Sequence, residues 1–263
     1  YLAHTGTLTE FNDDVIFTST GNGNIRVGGG GGTSVLADGK QLLTGTAGYT
    51  SGYLTLSRIT FSGNTARNLS MGSGAYMNLG PQLVAEGPLV VNAGGVRLNG
   101  GQYNSSLRIT KTGTMNDDGS GNNVFEDSVE FVNTGTGYLL TSNSTYDIFN
   151  GDAVFTSTSS GQVYVAQNDT ATLFNGDVYV NSTGTGGVRI GSGNGLSRLA
   201  AGHRIAVGNS GFTGGGLFIR RFIQLGSDSI RLSATTGTGL ITLSTGCNFK
   251  GNLNVNFPQV VLT

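Results

Sequence analysis

The chain has 263 residues, a net charge of −1, 46 glycines and only 11% charged residues. The glycines follow no strict period of three, which excludes collagen, and Val, Ile, Leu and Phe recur too regularly for a disordered chain. The near-neutral balance leaves no field to steer the protein onto nucleic acid or anionic lipid, and no apolar run approaches the ~20 residues of a membrane-spanning helix.

Residues 1–10, opening Tyr1-Leu2-Ala3, read as the end of a preceding repeat unit. There is no starting Met and no signal peptide, and Val261-Leu262-Thr263 sits in a strand-like pattern. The chain is therefore expected to be a piece of something longer. At Phe11 a phrase begins, FNDDVIFTSTGNGNIRVG, and it returns at Phe125, Phe149 and Phe174. Val15, Val129, Ala153 and Val178 share one offset within it, and Thr20, Thr134, Thr158 and Thr183 another. Gly23, Gly137, Gly161 and Gly186 share a third offset. Weaker copies start at Leu36, Phe61, Ala85 and Tyr103. The last phrase reads as a strand over Phe174–Val180, a Thr-Gly-Thr-Gly turn, a strand at Val188–Ile190 and a third near His203–Val207.

A second period is longer. Displaced by 163 residues, Phe11 falls on Phe174, Arg26 on Arg189, Leu36-Ala37 on Leu199-Ala200 and Leu54 on Leu217. Residues 11–173 then form one complete unit and 174–263 part of another. A short period of about 23 residues, too brief for a propeller blade, predicts an all-β solenoid, a parallel β-helix. The whole chain, 1–263, would be one array of roughly eleven coils with about three short strands each, some 50 Å long. Phe and Val would stack inside and Thr at a corner. The shared Gly would meet a need for positive φ or a lack of room for Cβ. Asp14, Asp152 and Asp177 share an outward offset, where stacked like charges would repel.

No constellation for chemistry stands out. Adjacent strand residues such as Asp13 and Asp14 point to opposite faces, and Asn116-Asp117-Asp118-Gly119 reads as a turn. His4 and His203 sit at different offsets, so no metal site is expected. Gly28–Gly32 and Gly191–Gly195 look like phosphate cradles, yet no helix pattern follows either, so no cofactor is expected. Cys247, the single cysteine, reads as a small filler. Thr18 with Thr20, Thr156 with Thr158 and Thr236 with Thr238 have the Thr-x-Thr spacing of ice-binding faces, but the ladder fails at 125–142.

Phe-Asn-Gly-Asp-Val at 174–178, the Thr-Gly-Thr-Gly turn at 183–186 and the hydrophobic-x-hydrophobic strand after it resemble the large "FNG" β-strand repeat proteins of Bacteroidota. The resemblance extends along the whole chain. It implies a secreted, surface-attached or filamentous protein, commonly exported by the type IX system, with a structural or adhesive role. Asp127-Ser128-Val129, Asp169-Thr170-Ala171 and Asp228-Ser229-Ile230 match the O-glycosylation pattern of those bacteria, which makes Ser128, Thr170 and Ser229 candidate acceptors. The expected function is a non-enzymatic extracellular or cell-surface rod, filament or stalk. Its expected partners are copies of itself, further repeats end to end, or surface glycans. A solenoid carbohydrate-active enzyme, a glycan-binding module and an ice-binding protein are the competing readings.

Overall fold

The computed structural model describes residues 1–6, 8–235 and 239–263. Thr236 and Thr238, one of the Thr-x-Thr pairs, lie outside the described residues. The described residues form strands, bends and turns with no helix, and parallel strands stack into a β-solenoid of about ten turns.

Three faces wind around one core. The first is a ten-stranded sheet running from Thr9–Phe11 to Phe222–Gln224. Its inward register passes through Phe11, Leu36, Phe61, Ala85, Tyr103, Phe125, Phe149, Phe174, Leu199 and Gln224. The second face is a seven-stranded sheet from Arg67–Ser70 to Ile205–Phe212. Two strand pairs, Val15–Ser19 with Leu42–Tyr49 and Ile230–Ser233 with Leu253–Asn256, are separate small sheets. The third face is interrupted. Four strands span Asn24–Val27 to Gly95–Leu98, and six span Leu139–Leu140 to Gln259–Leu262. Residues 112–123 pass between the two groups with only the bridge of Gly121 to Asn99.

The phrase at Phe174 bends where the sequence suggests one strand. Thr172–Phe174 belongs to the first face and Val178–Ser182 to the second, with the corner at Asn175-Gly176-Asp177. Alternation survives the corner because Gly176 and Val178 both face inward, so a period of two conceals the bend. The third strand of this coil is Val188–Ile190. His203–Val207 contributes instead to the second-face strand Ile205–Phe212 of the next coil.

Inside, like stacks on like. The rings of Tyr103, Phe125, Phe149 and Phe174 lie nearly parallel, with centroids 5.2, 4.7 and 5.0 Å apart. Phe131 and Phe155 stack at 5.5 Å on the second face and meet this column edge-on, as in Phe149–Phe155 at 5.9 Å. Such offset and T-shaped pairs add stability beyond area burial, about 0.5–1.5 kcal/mol each.

Backbone irregularities recur at the 163-residue displacement. Leu42–Tyr49 and Ile205–Phe212 are both eight-residue strands whose register slips against the preceding coil. Positive φ recurs at Ala3 and Ala166 (49° and 54°), Gly48 and Gly211 (71° and 78°), and Arg58 and Arg221 (50° and 50°). Left-handed backbone at Arg is unfavourable, and the corner is held by main-chain bonds on both sides. Arg58 N–H donates to Pro81 O at 3.0 Å, and its carbonyl accepts Ser34 N–H at 2.8 Å. Arg221 makes the equivalent bonds to Thr245 and Ser197, each 3.1 Å.

Candidate functional site

The repeated phrase is occupied by residues that build corners. Asn175 Nδ2 donates to Asn150 Oδ1 at 2.8 Å, and Asn150 Nδ2 to Glu126 Oε2 at 2.7 Å. A side chain at Gly151 or Gly176 would collide with the backbone of the coil before it. The aspartates cap the next coil. Asp14 accepts Gln41 N–H at 2.8 Å, Asp152 accepts Asp177 N–H at 2.9 Å, and Asp177 accepts Arg204 N–H at 3.1 Å. These bonds, rather than repulsion, govern the offset, because a carboxylate on a backbone N–H is a charge-assisted bond.

Thr20, Thr134, Thr158 and Thr183 are exposed, while the N–H groups of the last three donate to Lys111, Asn133 and Ser157 one coil back. Thr18 is exposed but Thr156 is buried and accepts Asn181 Nδ2, so Thr156 and Thr158 do not form an exposed pair. Gly137, Gly161 and Gly186 have ordinary φ, and a Cβ on any of them would strike a carbonyl of the preceding coil. Lack of room is therefore the reason at these three; Gly23 has open space around it. Their carbonyls are also capped from within. Asn133, Ser157 and Ser182 donate to Gly137, Gly161 and Gly186 at 2.8, 2.7 and 3.2 Å.

The outer side of the second face carries a groove. A hollow of about 450 Å³ is lined by Glu130, Val154, Tyr179, Asn181 and Arg204, with Gly208–Ser210 of the slipped strand as one wall. A second hollow, about 320 Å³, shares Glu130 and Val154 and extends to Val90 and Arg108. Arg108 pairs with Glu130 at 3.3 Å, and Arg204 Nε with Asp177 Oδ2 at 3.1 Å. His203 Nδ1 lies 3.4 Å from Asp177 Oδ1, and Tyr179 OH donates to Asp177 Oδ2 at 3.1 Å. Partial burial pushes the Asp177 carboxyl up, but the Arg204 N–H, Tyr179, His203 and the Arg204 charge together hold it below its usual value. Asn181 is 2% exposed and its Oδ1 has no hydrogen-bond partner among the described residues.

Two polar clusters lie inside the coil. Lys111 occupies the register position next to Asn133, and its Nζ donates to Gly113 O at 2.8 Å. Asp117, also buried, crosses the interruption of the third face, accepting Val96 N–H at 3.0 Å while its own N–H donates to Tyr138 O at 3.1 Å. Burial pushes the Lys111 amine down and the Asp117 carboxyl well up, each opposed by the other's charge. The second cluster is a ladder of Asn123, Asp147, Thr172 and Ser197 beside the Phe column. Asn123 Nδ2 donates to Asp147 Oδ1 at 2.8 Å, and Ser142 and Thr172 both donate to Asp169 Oδ2. Burial pushes the Asp147 carboxyl up to about 8, with the Asp169 charge adding to it and Asn123 opposing.

The sequence places Asp117 in a turn and marks Asp169 only within a glycosylation pattern, and it does not single out Lys111, Asp147 or Arg67. Arg67 stands in an otherwise apolar register, paired with Leu89, and donates to the carbonyls of Ala37, Lys40, Ser62 and Thr65 at two corners. The available signal was a polar residue at an inward offset. Other candidates lie apart. Asp13 pairs with Lys40 at 3.4 Å, and His4 packs against Tyr1. Gly28 and Gly191 occupy matching left-handed corners, φ 70° and 71°. Cys247 is half-buried just before the bridge of Asn248 to Ile223. Among the described residues no group of three His, Cys, Asp or Glu is placed to hold a metal. Ser128, Thr170 and Ser229 are exposed.

Comparison with family models, with curated proteins and with solved structures returned no match.

Proposed function

We propose that this chain is a non-enzymatic structural segment of a large bacterial surface or extracellular protein, a stiff rod or stalk extended by further coils or by copies of itself. The observation that carries the reading is the use of the recurring residues. Phe, Gly and Asp of the repeated phrase fill the core, make room at corners and cap the next coil. Sequence repetition is thus spent on stacking. The FNG-like phrases support a place among Bacteroidota surface proteins exported by the type IX route, and the exposed Ser128, Thr170 and Ser229 suit O-glycosylation there. Immunogold labelling of intact source cells is the direct test. Label on surface filaments or stalks is expected, and label confined to the cytoplasm would overturn the proposal. Intact mass of native material checks the glycosylation, which an unmodified mass would exclude.

A further inference from the structure

We propose that the lateral groove of the second face binds a linear saccharide lying along the solenoid axis. The inference does not depend on where the protein is located. The joined hollows cross six successive strands, from Leu89–Ala93 to Ile205–Phe212. At about 4.8 Å per strand, that is a trough of about 24 Å. Its shape, long and shallow, suits a chain more than a compact ligand.

The backbone excludes one alternative. N–H and C=O groups of these strands are engaged in the parallel ladder, so an extended peptide cannot add to the face by strand pairing. Recognition falls to side chains. The charges are balanced in pairs, Arg108 with Glu130 and Arg204 with Asp177, so the groove carries no basic stripe of the kind a polyanion requires. What remains is a mixture of planar hydrogen-bonding groups and apolar patches. Glu130 and Arg204 present planar charged groups to hydroxyls, and Val90, Val154 and the Tyr179 ring offer surfaces to the C–H faces of a sugar. The unpartnered Oδ1 of Asn181, beneath the slipped strand, is an acceptor built into the wall. A pyranose ring is about as long as one strand spacing, so successive rings would meet successive coils.

The two units differ where this reading needs them to. The slipped strand is present in both, yet Tyr179, Asn181 and Arg204 stand where the first unit has Ile16, Thr18 and Gln41. Inward Ser182 is matched by Ser19. The wall is repeated and its decoration is not, as expected of a binding face on a repeated scaffold.

The test uses the whole chain and an array of length-graded linear oligosaccharides. The array holds neutral glucose, mannose and N-acetylglucosamine oligomers and acidic galacturonate oligomers. We expect binding to at least one neutral series, strengthening with length and levelling off at about five rings. Tyr179→Ala and Arg204→Ala should each weaken it about tenfold, roughly 1.4 kcal/mol, with thermal unfolding still cooperative. Should either variant fail to fold, Glu130→Gln provides the same comparison. No binding at millimolar oligosaccharide overturns the proposal. So does binding unchanged in the folded variants, and so does binding only to the acidic series with steep salt dependence.

Discussion

Gly161 and Gly23 hold the same offset in the repeated phrase and should respond in opposite ways to a methyl group. At Gly161 a Cβ would press on the carbonyls of Gly135 and Gly137, whereas at Gly23 it would meet nothing within 4 Å. Gly161→Ala is expected to destabilise the chain by about 1–3 kcal/mol and Gly23→Ala by less than about 0.5 kcal/mol, measured by urea unfolding. A second prediction concerns Asp147. Its folded carboxyl titrates near about 8, against about 3.9 for an unfolded aspartate. Between those values the folded chain keeps a proton that the unfolded chain has released. Stability contributed by this group is therefore fullest below about pH 4 and falls as pH rises to about 8. Asp147→Asn should raise the melting temperature at pH 9 more than at pH 5, and an equal change at both would contradict the assignment.

At the scale of elements, the third face is interrupted between Gly95–Leu98 and Leu139–Leu140. Two buried ionisable side chains flank the interruption, each held by the main chain: Lys111 Nζ donates to Gly113 O and Asp117 accepts Val96 N–H. Lys111→Met removes the charge that opposes the rise of the Asp117 carboxyl and the donor to Gly113 O, and is expected to destabilise the chain. Adding Asp117→Asn keeps an acceptor for Val96 N–H and should recover a large part of that loss, as read from a double-mutant cycle in urea. Additive effects of the two changes would show that the pair is not coupled. Much of this architecture was legible in the sequence. Phe11, Leu36, Phe61, Ala85 and Tyr103 could be aligned because an inward position admits few residue types, and they are register partners. The corner at Asn175–Asp177 was hidden because alternation continues through it. The polar ladders were hidden for a different reason. Asn133, Ser157 and Ser182 look like turn residues, and only the closed coil shows that they face inward to cap carbonyls. The groove was only partly legible: Glu130, Val154 and Tyr179 share one outward offset of the repeated phrase and are register partners, but the register slip that raises its wall has no signature in that phrase.

For the whole molecule, parallel stacking of coil on coil is the organising rule. Gln259–Leu262 continues it in parallel register on Leu240–Leu243. The central claim, a rod that extends by stacking, is tested most directly by electron microscopy of the purified chain over rising concentration. The account requires rods of constant width that lengthen in steps of about 50 Å, the length of one chain. Single short rods at every concentration would contradict it.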